Sequence, residues 1–475
     1  MPHTFSAESQ AQFAALSGDF NPIHMDAVAA RRTQAGAPVV HGIHALLWLL
    51  DSVAEQRADL PLPTMLKAGF RRMIYVGDRA EAVFAQSTAA ALRAHLLIDG
   101  VEVLSATLSF GTSARTPPGL SATGAAAAVP PPPRPFDLSL EQMEGLSGRL
   151  NFAAPAEQST AMFPNAVRYL GAGRVAALAA SSCLVGMVVP GLYSLFGELS
   201  VALEEQRPDL DELQYQVTSV DPRFRMVRIA VRGGGLLGSV SAISRPPPTA
   251  QPDMKALAPL VGRAEFTGST VLVVGGSRGI GEVTAKLVAA GGGRVLLTYR
   301  RGKEDAEAVA REIRDWGGNC HTAVYDALQS AAPQLSSLPH APSHVYYFAT
   351  PTIYRRKAGL FDAGRFQEFN AYYLAGFLDL AEASLRLRPE GVRFFYPSTV
   401  YVENRPAEMT EYAMSKAAGE VLCADLAQHL RGVTIIARRL PRIATDQTVS
   451  LVPMAAASAS EVMLPIVREL QGLKL

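Results

Sequence analysis

The sequence has few cysteines, no long hydrophobic run and almost no net charge. Cys183, Cys320 and Cys423 lie far apart and follow no paired spacing, so neither a disulfide framework nor a zinc site is expected. No apolar run approaches the ~18 residues of a membrane span. The first ten residues lack the basic and apolar regions of a signal peptide. We therefore expect a cytoplasmic protein that does not enter a membrane.

An excess of charge of one sign is also lacking, because 44 lysines and arginines face 43 aspartates and glutamates. The formal net charge of +1 provides no global field for nucleic acid or an anionic membrane. Small molecules are the expected partners, and no metal site is predicted. The 475 residues exceed one ordinary core and suggest about three domains.

Two proline-rich stretches divide the chain. Residues 116–135 contain an alanine tract and the run Pro130 to Pro133, and residues 245–252 contain Pro246 to Pro248. Because proline lacks an amide donor and fixes φ, neither stretch can form a helix or a central strand. We therefore predict linkers over residues 116–135 and 247–264, and domains over residues 1–115, 136–246 and 265–475.

The first two segments share one pattern, in which an apolar helix is followed by alternating strands. The helices are predicted over residues 41–55 and 173–189. Strands are predicted over 68–75, 79–87, 95–98 and 102–110 in the first segment, and over 194–203, 213–220, 226–232 and 237–243 in the second. One long helix against an antiparallel sheet, occurring twice, predicts a duplicated α+β module.

The third segment follows a different pattern. Residues 270–274 are predicted as a buried strand, 282–290 as a helix and 294–299 as a second strand, with a glycine turn after the first strand. This βαβ unit predicts a parallel sheet.

A carboxylate and an imidazole stand together near the N-terminus, in Ser17-Gly18-Asp19-Phe20-Asn21-Pro22-Ile23-His24. Such a pair suits reversible hydration of an enoyl thioester, because one group takes a proton from water while the other supplies one at the α-carbon. Taken alone, the motif is more typical of ordinary turn chemistry, since Asp-x-Asn-Pro is common in turns.

The residues that follow favour catalysis. They are Ala29-Ala30-Arg31-Arg32-Thr33-Gln34-Ala35-Gly36, Val39-Val40-His41-Gly42-Ile43 and Phe70-Arg71-Arg72-Met73-Ile74-Tyr75-Val76-Gly77-Asp78. With them, residues 1 to about 115 resemble the MaoC-like, (R)-specific enoyl-CoA hydratase family.

The resemblance implies a role for each residue of the site. Asp19 and His24 form the catalytic pair, and Asn21 shapes the turn and bonds the water or His24. Gly42 begins the central helix, where its backbone N–H and the helix dipole polarise the thioester carbonyl.

The middle segment has no counterpart of Asp19 or His24. Its Ser182-Cys183-Leu184-Val185-Gly186-Met187-Val188-Val189-Pro190-Gly191 and Asp221-Pro222-Arg223-Phe224 resemble the helix end and a strand start of a second hot-dog unit. The two segments together thus resemble double hot-dog hydratases, which implies that residues 136–246 support the site and shape an acyl tunnel. Met187 and Tyr193 are expected in the core.

A glycine-rich turn, Val274-Gly275-Gly276-Ser277-Arg278-Gly279-Ile280-Gly281, joins the first strand and helix of the third segment. Glycines permit the tight turn and a close approach to a pyrophosphate, whose charge meets the helix N-terminus. The cofactor-binding candidates in this turn are Gly275, Ser277, Arg278, Gly279, Ile280 and Gly281.

Polar residues of reductase type follow downstream, namely Asn370, Ser398 and Tyr412-Ala413-Met414-Ser415-Lys416. A tyrosine and a lysine four residues apart share one helix face, so the ammonium can lower the pKa of the phenol and still reach the nicotinamide ribose.

This ordered set resembles the short-chain dehydrogenase/reductase family across residues 265–475, and most closely its 3-oxoacyl thioester reductases. The resemblance implies that Tyr412 donates the proton to the substrate carbonyl and that Ser398 positions and polarises it. By the same resemblance, Lys416 serves both the tyrosine and the ribose, and Asn370 holds a proton-relay water.

The cofactor is predicted to be NADP(H). The second strand ends in Tyr299-Arg300-Arg301, where an NAD enzyme usually places an acid for the ribose hydroxyls. Arg278 with Arg300 or Arg301 would instead hold a 2′-phosphate. Asp326 occupies the usual acidic position near the adenine.

The third segment also departs from the family. Phe348-Ala349-Thr350-Pro351 replaces the common Asn-Asn-Ala-Gly, and arginine replaces glycine in Leu440-Pro441-Arg442. The customary last strand is missing, which leaves the sheet edge and the family's tetramer contact unassigned.

The predicted fold is an α+β double hot-dog followed by an α/β Rossmann-type doubly wound parallel sheet. The predicted function is bifunctional: NADPH-dependent 3-oxoacyl reduction and reversible 3-hydroxyacyl dehydration, on acyl-CoA or acyl carrier protein thioesters, in a homo-oligomer that we expect to be a dimer. One alternative is an oxidative hydratase and dehydrogenase on acyl-CoA, which the NADP preference disfavours. Another is a silent thioester-binding scaffold, which would not require both sets of polar groups.

Overall fold

A computed structural model describes residues 2–33, 35–88, 90–111, 128–152, 156–204, 211–353, 359–448 and 454–472. The chain forms two compact units, Met1–Pro247 and Pro248–Val449 with Pro453–Leu475. The boundary lies inside the proline-rich stretch 245–252, and each unit encloses its own apolar core. Most of the first predicted linker lies outside the described residues, although Val129 pairs with Leu150.

The first unit is built on one ten-stranded sheet with the order β1-β3-β4-β5-β2-β7-β10-β9-β8-β6. All its pairings are antiparallel. The strands are β1 (His3–Thr4), β2 (Met65–Phe70), β3 (Arg79–Ser87), β4 (Ala91–Ile98), β5 (Val101–Ser109), β6 (Ser147–Asn151), β7 (Ser194–Leu203), β8 (Glu212–Asp221), β9 (Met226–Gly233) and β10 (Leu236–Ser244).

Two of the helices of this unit mark its two halves. The described helices are α1 (Ala7–Ser17), α2 (Pro22–Met25), α3 (Ala27–Arg31), α4 (Gly42–Gln56), α5 (Leu140–Met143), α6 (Ala156–Met162), α7 (Pro164–Leu170) and α8 (Ala172–Cys183). The two apolar helices that mark the halves are α4 and α8. Helix α4 precedes β2 to β5, α8 precedes β7 to β10, and the halves join where β2 pairs with β7. The duplicated helix-and-sheet pattern predicted from the sequence is therefore present as one continuous sheet.

Two predicted elements stop several residues before their predicted last residue. The strand predicted over residues 68–75 is β2, Met65–Phe70, because the amides of Arg71 and Arg72 both turn to the Val103 carbonyl and leave the ladder. The helix predicted over 173–189 is regular only to Cys183. It continues as one π-helical turn, Leu184–Val188, and stops before Pro190.

The second unit contains a six-stranded parallel sheet with the order β13-β12-β11-β14-β15-β16. The strands are β11 (Thr270–Val274), β12 (Arg294–Tyr299), β13 (Asn319–Val324), β14 (His344–Tyr347), β15 (Val392–Thr399) and β16 (Val433–Leu440). The helices are α9 (Met254–Leu257), α10 (Gly279–Ala290), α11 (Lys303–Asp315), α12 (Ala331–Ser336), α13 (Ala363–Asn370), α14 (Gly376–Leu387), α15 (Tyr401–Asn404), α16 (Thr410–His429) and α17 (Ala459–Leu470).

Helices cover both faces of this sheet. Alternate residues of β11 point to opposite sides, so Val271 and Val273 join the core containing α10 and α17, while Leu272 and Val274 join the core containing α14 and α16. Among the described residues no strand follows β16, and the last element is α17. The sheet is therefore parallel and doubly wound, as the βαβ pattern predicted.

No single helix of the described segments is both long and apolar enough to cross a membrane. One pair of helices joined at a bend, Pro164–Leu170 with Ala172–Val188, resembles a membrane span in its combined length and apolar composition only.

Candidate active sites

In the first unit, a turn after α1 carries Asp19. Ser6 caps the start of α1 by accepting from the amide of Ser9, and the helix ends at Gly18 in the left-handed conformation, with φ +77°. The carboxylate of Asp19 is buried and accepts two hydrogen bonds, from the Ser182 hydroxyl at 2.7 Å and from the backbone amide of Asn21 at 3.2 Å. Burial raises the pKa of Asp19, and the charge of His24 with these two bonds opposes the rise. The Asp19 carboxyl is thus suited to hold a proton and to donate it.

Asn21 connects this turn to the second half of the unit. Its Nδ2 donates to the carbonyl oxygens of Gly186, at 2.6 Å, and Gly191, at 3.1 Å, while its Oδ1 accepts from the amide of Ile23. The backbone carbonyl of Asn21 also accepts from the His24 amide at 2.9 Å. A bond from the Asn21 side chain to the water or to the His24 ring stays a prediction. Its expected role in shaping the turn agrees with these bonds.

One hydrogen bond orients His24. Its Nδ1 lies 2.8 Å from the carbonyl oxygen of Val39. A carbonyl can only accept, so Nδ1 carries the proton and, in the neutral ring, Nε2 keeps its lone pair. Burial lowers the pKa of His24, an effect opposed by Asp19 and the Val39 carbonyl and reinforced by Arg245. His24 is therefore a neutral base at ordinary pH, with Nε2 as the accepting atom.

His41, which sequence reasoning did not select, stacks on His24 with ring centroids 3.9 Å apart. Its ring nitrogens contact Gln10 Oε1 at 2.8 Å and the carbonyl oxygen of Asp19 at 3.0 Å. Ligand atoms of Asp19, His24 and His41 lie within 4.8 Å of one another, as in a metal site. Both nitrogens of His41 are engaged, however, so Asp19 and His24 are the groups placed for proton transfer.

The second half of the unit completes this site. Ser182 lies on α8 and bonds Asp19, and Gly186 lies on the π-helical turn that follows. A Cβ on Gly186 would lie only 2.2 Å from Asp19 Oδ1, so a glycine is needed there. Both residues stand in the stretch singled out as a helix end, but no local signal showed that they contact Asp19.

Gly42 is the first residue of α4, so its amide has no acceptor within the helix. A Cβ there would meet the Phe70 ring at 2.9 Å. This placement suits the oxyanion role that the resemblance implies, which stays a prediction.

In the second unit, the glycine-rich turn follows β11. Gly275 has φ +81°, and a Cβ on Gly281 would lie 2.3 Å from the Gly275 carbonyl oxygen. Only glycine therefore allows the first turn of α10, which contains Ile280, to pack this closely on the loop. Ser277 is buried beside the loop, and Gly279 begins the helix.

The basic residues near this turn contact carboxylates. Arg278 pairs with Asp446 at 3.5 Å, and Arg300 pairs with Asp326 at 3.0 Å and donates to the Tyr372 hydroxyl at 2.6 Å. Arg301 is exposed. Asp326 thus orients Arg300. The sequence predicted a position near the adenine for Asp326 but did not predict this contact.

Tyr412 and Lys416 lie one turn apart on α16. The Lys416 ammonium donates to the carbonyl oxygen of Pro397 at 2.7 Å and lies 3.8 Å from the centroid of the Tyr373 ring and 5.9 Å from that of Tyr412. Burial lowers the pKa of Lys416 to about 7. Burial raises the pKa of Tyr412, and a hydrogen bond with the Thr399 side chain opposes the rise.

The hydroxyl beside Tyr412 belongs to Thr399 and not to Ser398. Ser398 is buried and donates to Glu420, which also pairs with Arg439. Successive residues of a strand point to opposite sides, so only one of these neighbours can face Tyr412. Thr399, and not Ser398, is therefore placed for the role that the resemblance implied.

Asn370 ends α13, and a π-helical turn, Ala371–Ala375, follows it. Its Oδ1 is buried and has no hydrogen-bond partner. A buried acceptor without a donor fits the expected contact with a relay water.

Comparison with known proteins finds a family match in each of the two units. Residues 1–101 match the family described as MaoC like domain, and residues 269–335 match that described as short chain dehydrogenase. The chain is 38% identical over 82 residues to an (R)-specific enoyl-CoA hydratase of Aeromonas caviae, which covers 16% of this chain and 59% of that enzyme.

The remaining similarities concern the second unit. The chain is 30% identical over 219 residues to an NADPH-dependent aldehyde reductase-like protein, chloroplastic, of Arabidopsis thaliana, which covers 42% of this chain and 74% of that protein. A short chain dehydrogenase of Burkholderia cenocepacia, solved in complex with NADP, is 22% identical with a TM-score of 0.40, over 43% of this chain and 91% of that one. The chain belongs to the short-chain dehydrogenase family through its second unit and is a fusion of that domain with an N-terminal MaoC-like hydratase domain.

Proposed function

We propose that the protein is a bifunctional acyl-thioester enzyme that reduces a 3-oxoacyl thioester with NADPH and dehydrates the resulting 3-hydroxyacyl thioester reversibly. The observation that carries the proposal is the convergence of His24 and Asp19, with His24 held in the tautomer of a base and Asp19 in the environment of an acid. Hydration of an enoyl thioester needs one of each.

In the hydration direction, His24 Nε2 takes a proton from water, and the hydroxide formed adds to the β-carbon. The Asp19 carboxyl donates its proton to the α-carbon, and the C=C π bond is consumed. The Gly42 amide, at the positive end of α4, stabilises negative charge on the thioester oxygen. Dehydration runs through the same steps in reverse.

In the second unit, the glycine turn would hold NADPH, which would supply the hydride for the 3-oxo carbon. Tyr412 donates the proton that the carbonyl oxygen requires, and Thr399 holds that oxygen through its hydroxyl. Lys416 places positive charge behind the Tyr412 ring, which favours release of the phenol proton. Asn370 accepts from a water that returns protons toward Lys416.

NADP(H) is the cofactor that the basic residues favour. Arg278 and Arg301 lie next to the glycine turn and the end of β12, where a 2′-phosphate would be held. The Arabidopsis relative is described as NADPH-dependent.

The two halves of the first unit are proposed to form a double hot-dog. Helices α4 and α8 each precede four antiparallel strands of one shared sheet, and the first half alone carries the acid and the base. The second half contributes Ser182 and Gly186 to the environment of Asp19, which is the supporting role expected of it.

The test is to incubate the purified protein with NADPH and 3-oxoacyl-CoA or 3-oxoacyl carrier protein thioesters of several lengths and to follow products by mass spectrometry. We expect 3-hydroxyacyl and trans-2-enoyl thioesters to form in turn. Reduction without dehydration would contradict the assignment of the first unit, and dehydration of added 3-hydroxyacyl thioester without reduction would contradict that of the second.

A further inference from the structure

Arg245 is a buried cation for which the described residues provide no counter-ion. It follows β10 directly and is only 8% exposed. Its backbone amide donates to the Tyr193 carbonyl oxygen at 2.7 Å, and its carbonyl oxygen accepts from Arg225. Its side-chain Nε is buried without a hydrogen-bond partner, and no carboxylate of the described residues forms an ion pair with the guanidinium.

Another arginine of the same unit shows what a structural role looks like. Arg174, equally buried, donates from Nη1 to the Leu170 carbonyl oxygen at 2.8 Å and from Nη2 to that of Glu204 at 2.5 Å. Nε lacks a partner in both arginines, but carbonyl oxygens bond both Nη atoms of Arg174, whereas the Arg245 side chain donates no hydrogen bond to the described residues. A buried cation without hydrogen bonds destabilises a fold unless a ligand offsets the cost.

The position of Arg245 is beside the hydratase pair. Asn21 donates to the carbonyl oxygens of Gly191 and Leu192, and the next residue, Tyr193, accepts from the Arg245 amide. The charge of Arg245 also acts on His24 and lowers its pKa. Arg245 is therefore close to His24, the proposed base of the hydratase pair.

The acidic groups described around this site form no ion pair with Arg245. Asp19 accepts hydrogen bonds from the Ser182 hydroxyl and the backbone amide of Asn21 and not from Arg245. Asp137 pairs its backbone with Gly191 and acts electrostatically on Tyr193, but it forms no ion pair with Arg245. The fork of Arg245 is thus available to an anion brought by the substrate.

We propose that Arg245 binds a carboxylate on the acyl chain of the thioester, so that the hydratase site takes enoyl thioesters of dicarboxylic acids. The inference rests on the proposed hydratase function. A guanidinium fork matches a carboxylate with two parallel hydrogen bonds. The phosphates of CoA or of a carrier protein are a poorer match, because the whole pantetheine arm separates them from the thioester, and Arg245 lies at the reacting end.

The test uses two CoA thioesters that differ in one group, trans-pent-2-enoyl-CoA and the monothioester of trans-pent-2-enedioic acid, in which a carboxylate replaces the terminal methyl. Hydration of each is measured for the full chain and for Arg245→Met, which removes the charge. Arg245→Lys keeps the charge, and Arg232→Met, on the exposed face of β9, is the matched control.

The native protein should hydrate the carboxylated substrate with the lower KM. Arg245→Met should raise that KM about 10- to 100-fold, the value of a lost charge-assisted bond, and leave the KM of the methyl substrate unchanged. Arg245→Lys should restore part of the preference, and Arg232→Met should behave as native.

Three results would overturn the inference. One is an equal loss on both substrates, which indicates a structural role for Arg245. Another is a loss that disappears when pantetheine replaces CoA, which identifies a carrier phosphate as the ligand. The third is native hydration without preference for the carboxylate. Failure to hydrate either substrate would instead refute the proposed hydratase function, and this inference with it.

Discussion

At the scale of single residues, the proton transfer proposed for the first unit rests on the contacts of His24 and Asp19. The Val39 carbonyl fixes the proton on His24 Nδ1, and burial favours the protonated form of Asp19. We expect His24→Ala or Asp19→Asn to slow enoyl thioester hydration ~10²- to 10⁴-fold, the usual loss for a general acid or base. Reduction by the same variants, measured as NADPH oxidation, should stay at the native rate. Hydration at the native rate in both variants would exclude these residues as the acid and base.

A second prediction separates two neighbouring hydroxyls in the second unit. Thr399 bonds the Tyr412 phenol, whereas Ser398 bonds Glu420. Thr399→Val keeps the shape of the side chain and deletes the hydroxyl, so we expect a loss of kcat of about 10²-fold, as for an oxyanion donor. Ser398→Ala is the matched control and should retain most of kcat. If Ser398→Ala were the more damaging change, the geometry assigned to Thr399 would be wrong.

A pH dependence follows from Lys416. Burial lowers its pKa to about 7, so its ammonium is lost as the pH rises through that value. Burial raises the pKa of Tyr412, which therefore stays protonated over the same range. We expect kcat/KM for reduction to fall tenfold per pH unit above about pH 7, because the free enzyme then lacks the charge that serves Tyr412. Rates measured from about pH 5 to about pH 9 test this, and a flat profile would contradict it.

At the scale of elements, the π-helical turn after α8 forms one wall of the hydratase site. Its Gly186 lies so close to Asp19 that an added Cβ would overlap the carboxylate. Gly186→Ala should therefore displace Asp19 and lower hydration about 10²-fold or more. Gly69→Ala, in β2, is the matched control, because its Cβ would meet only Ser105 Oγ at 3.7 Å. Equal hydration rates in the two variants would show that the carboxylate is free to move.

The elements also show what the sequence could predict. Four strands, Arg79–Ser87, Ser194–Leu203, Thr270–Val274 and Arg294–Tyr299, have the predicted ends, because their alternating or continuous apolar pattern is a local property. Helix α1 was missed, since its small and polar residues provide a weak apolar stripe. Its end at Gly18 nevertheless positions Asp19.

The candidate sites likewise contain residues that the sequence could predict and residues that it could not. The motifs Asp19 to His24 and Tyr412 to Lys416 are contiguous, so their chemistry could be predicted. Ser182 lies 163 positions from Asp19, and only tertiary packing brings the two together. The choice of Thr399 over Ser398 also required the structure, because it depends on which face of β15 meets α16.

At the scale of the whole molecule, the two proposed sets of catalytic groups lie in separate compact units. Asp19, His24 and Ser182 belong to the first unit, and Thr399, Tyr412 and Lys416 belong to the second. No residue of either proposed set comes from the other unit. The two reactions should therefore be separable by mutation, and the 3-hydroxyacyl thioester released by one unit should serve as substrate for the other.

The last prediction concerns two variants, each of which blocks one of the two reactions, and their ability to complete the reaction sequence when mixed. With NADPH and a 3-oxoacyl thioester, Tyr412→Phe should leave the substrate unreacted, because the ring packs as before but the proton is gone. His24→Ala should stop at the 3-hydroxyacyl thioester. A mixture of the two proteins should form the enoyl thioester, since each supplies the unit that the other lacks. Mass spectrometry of the three reactions measures this, and a mixture that stops at the 3-hydroxyacyl stage would mean that the intermediate must pass within one chain.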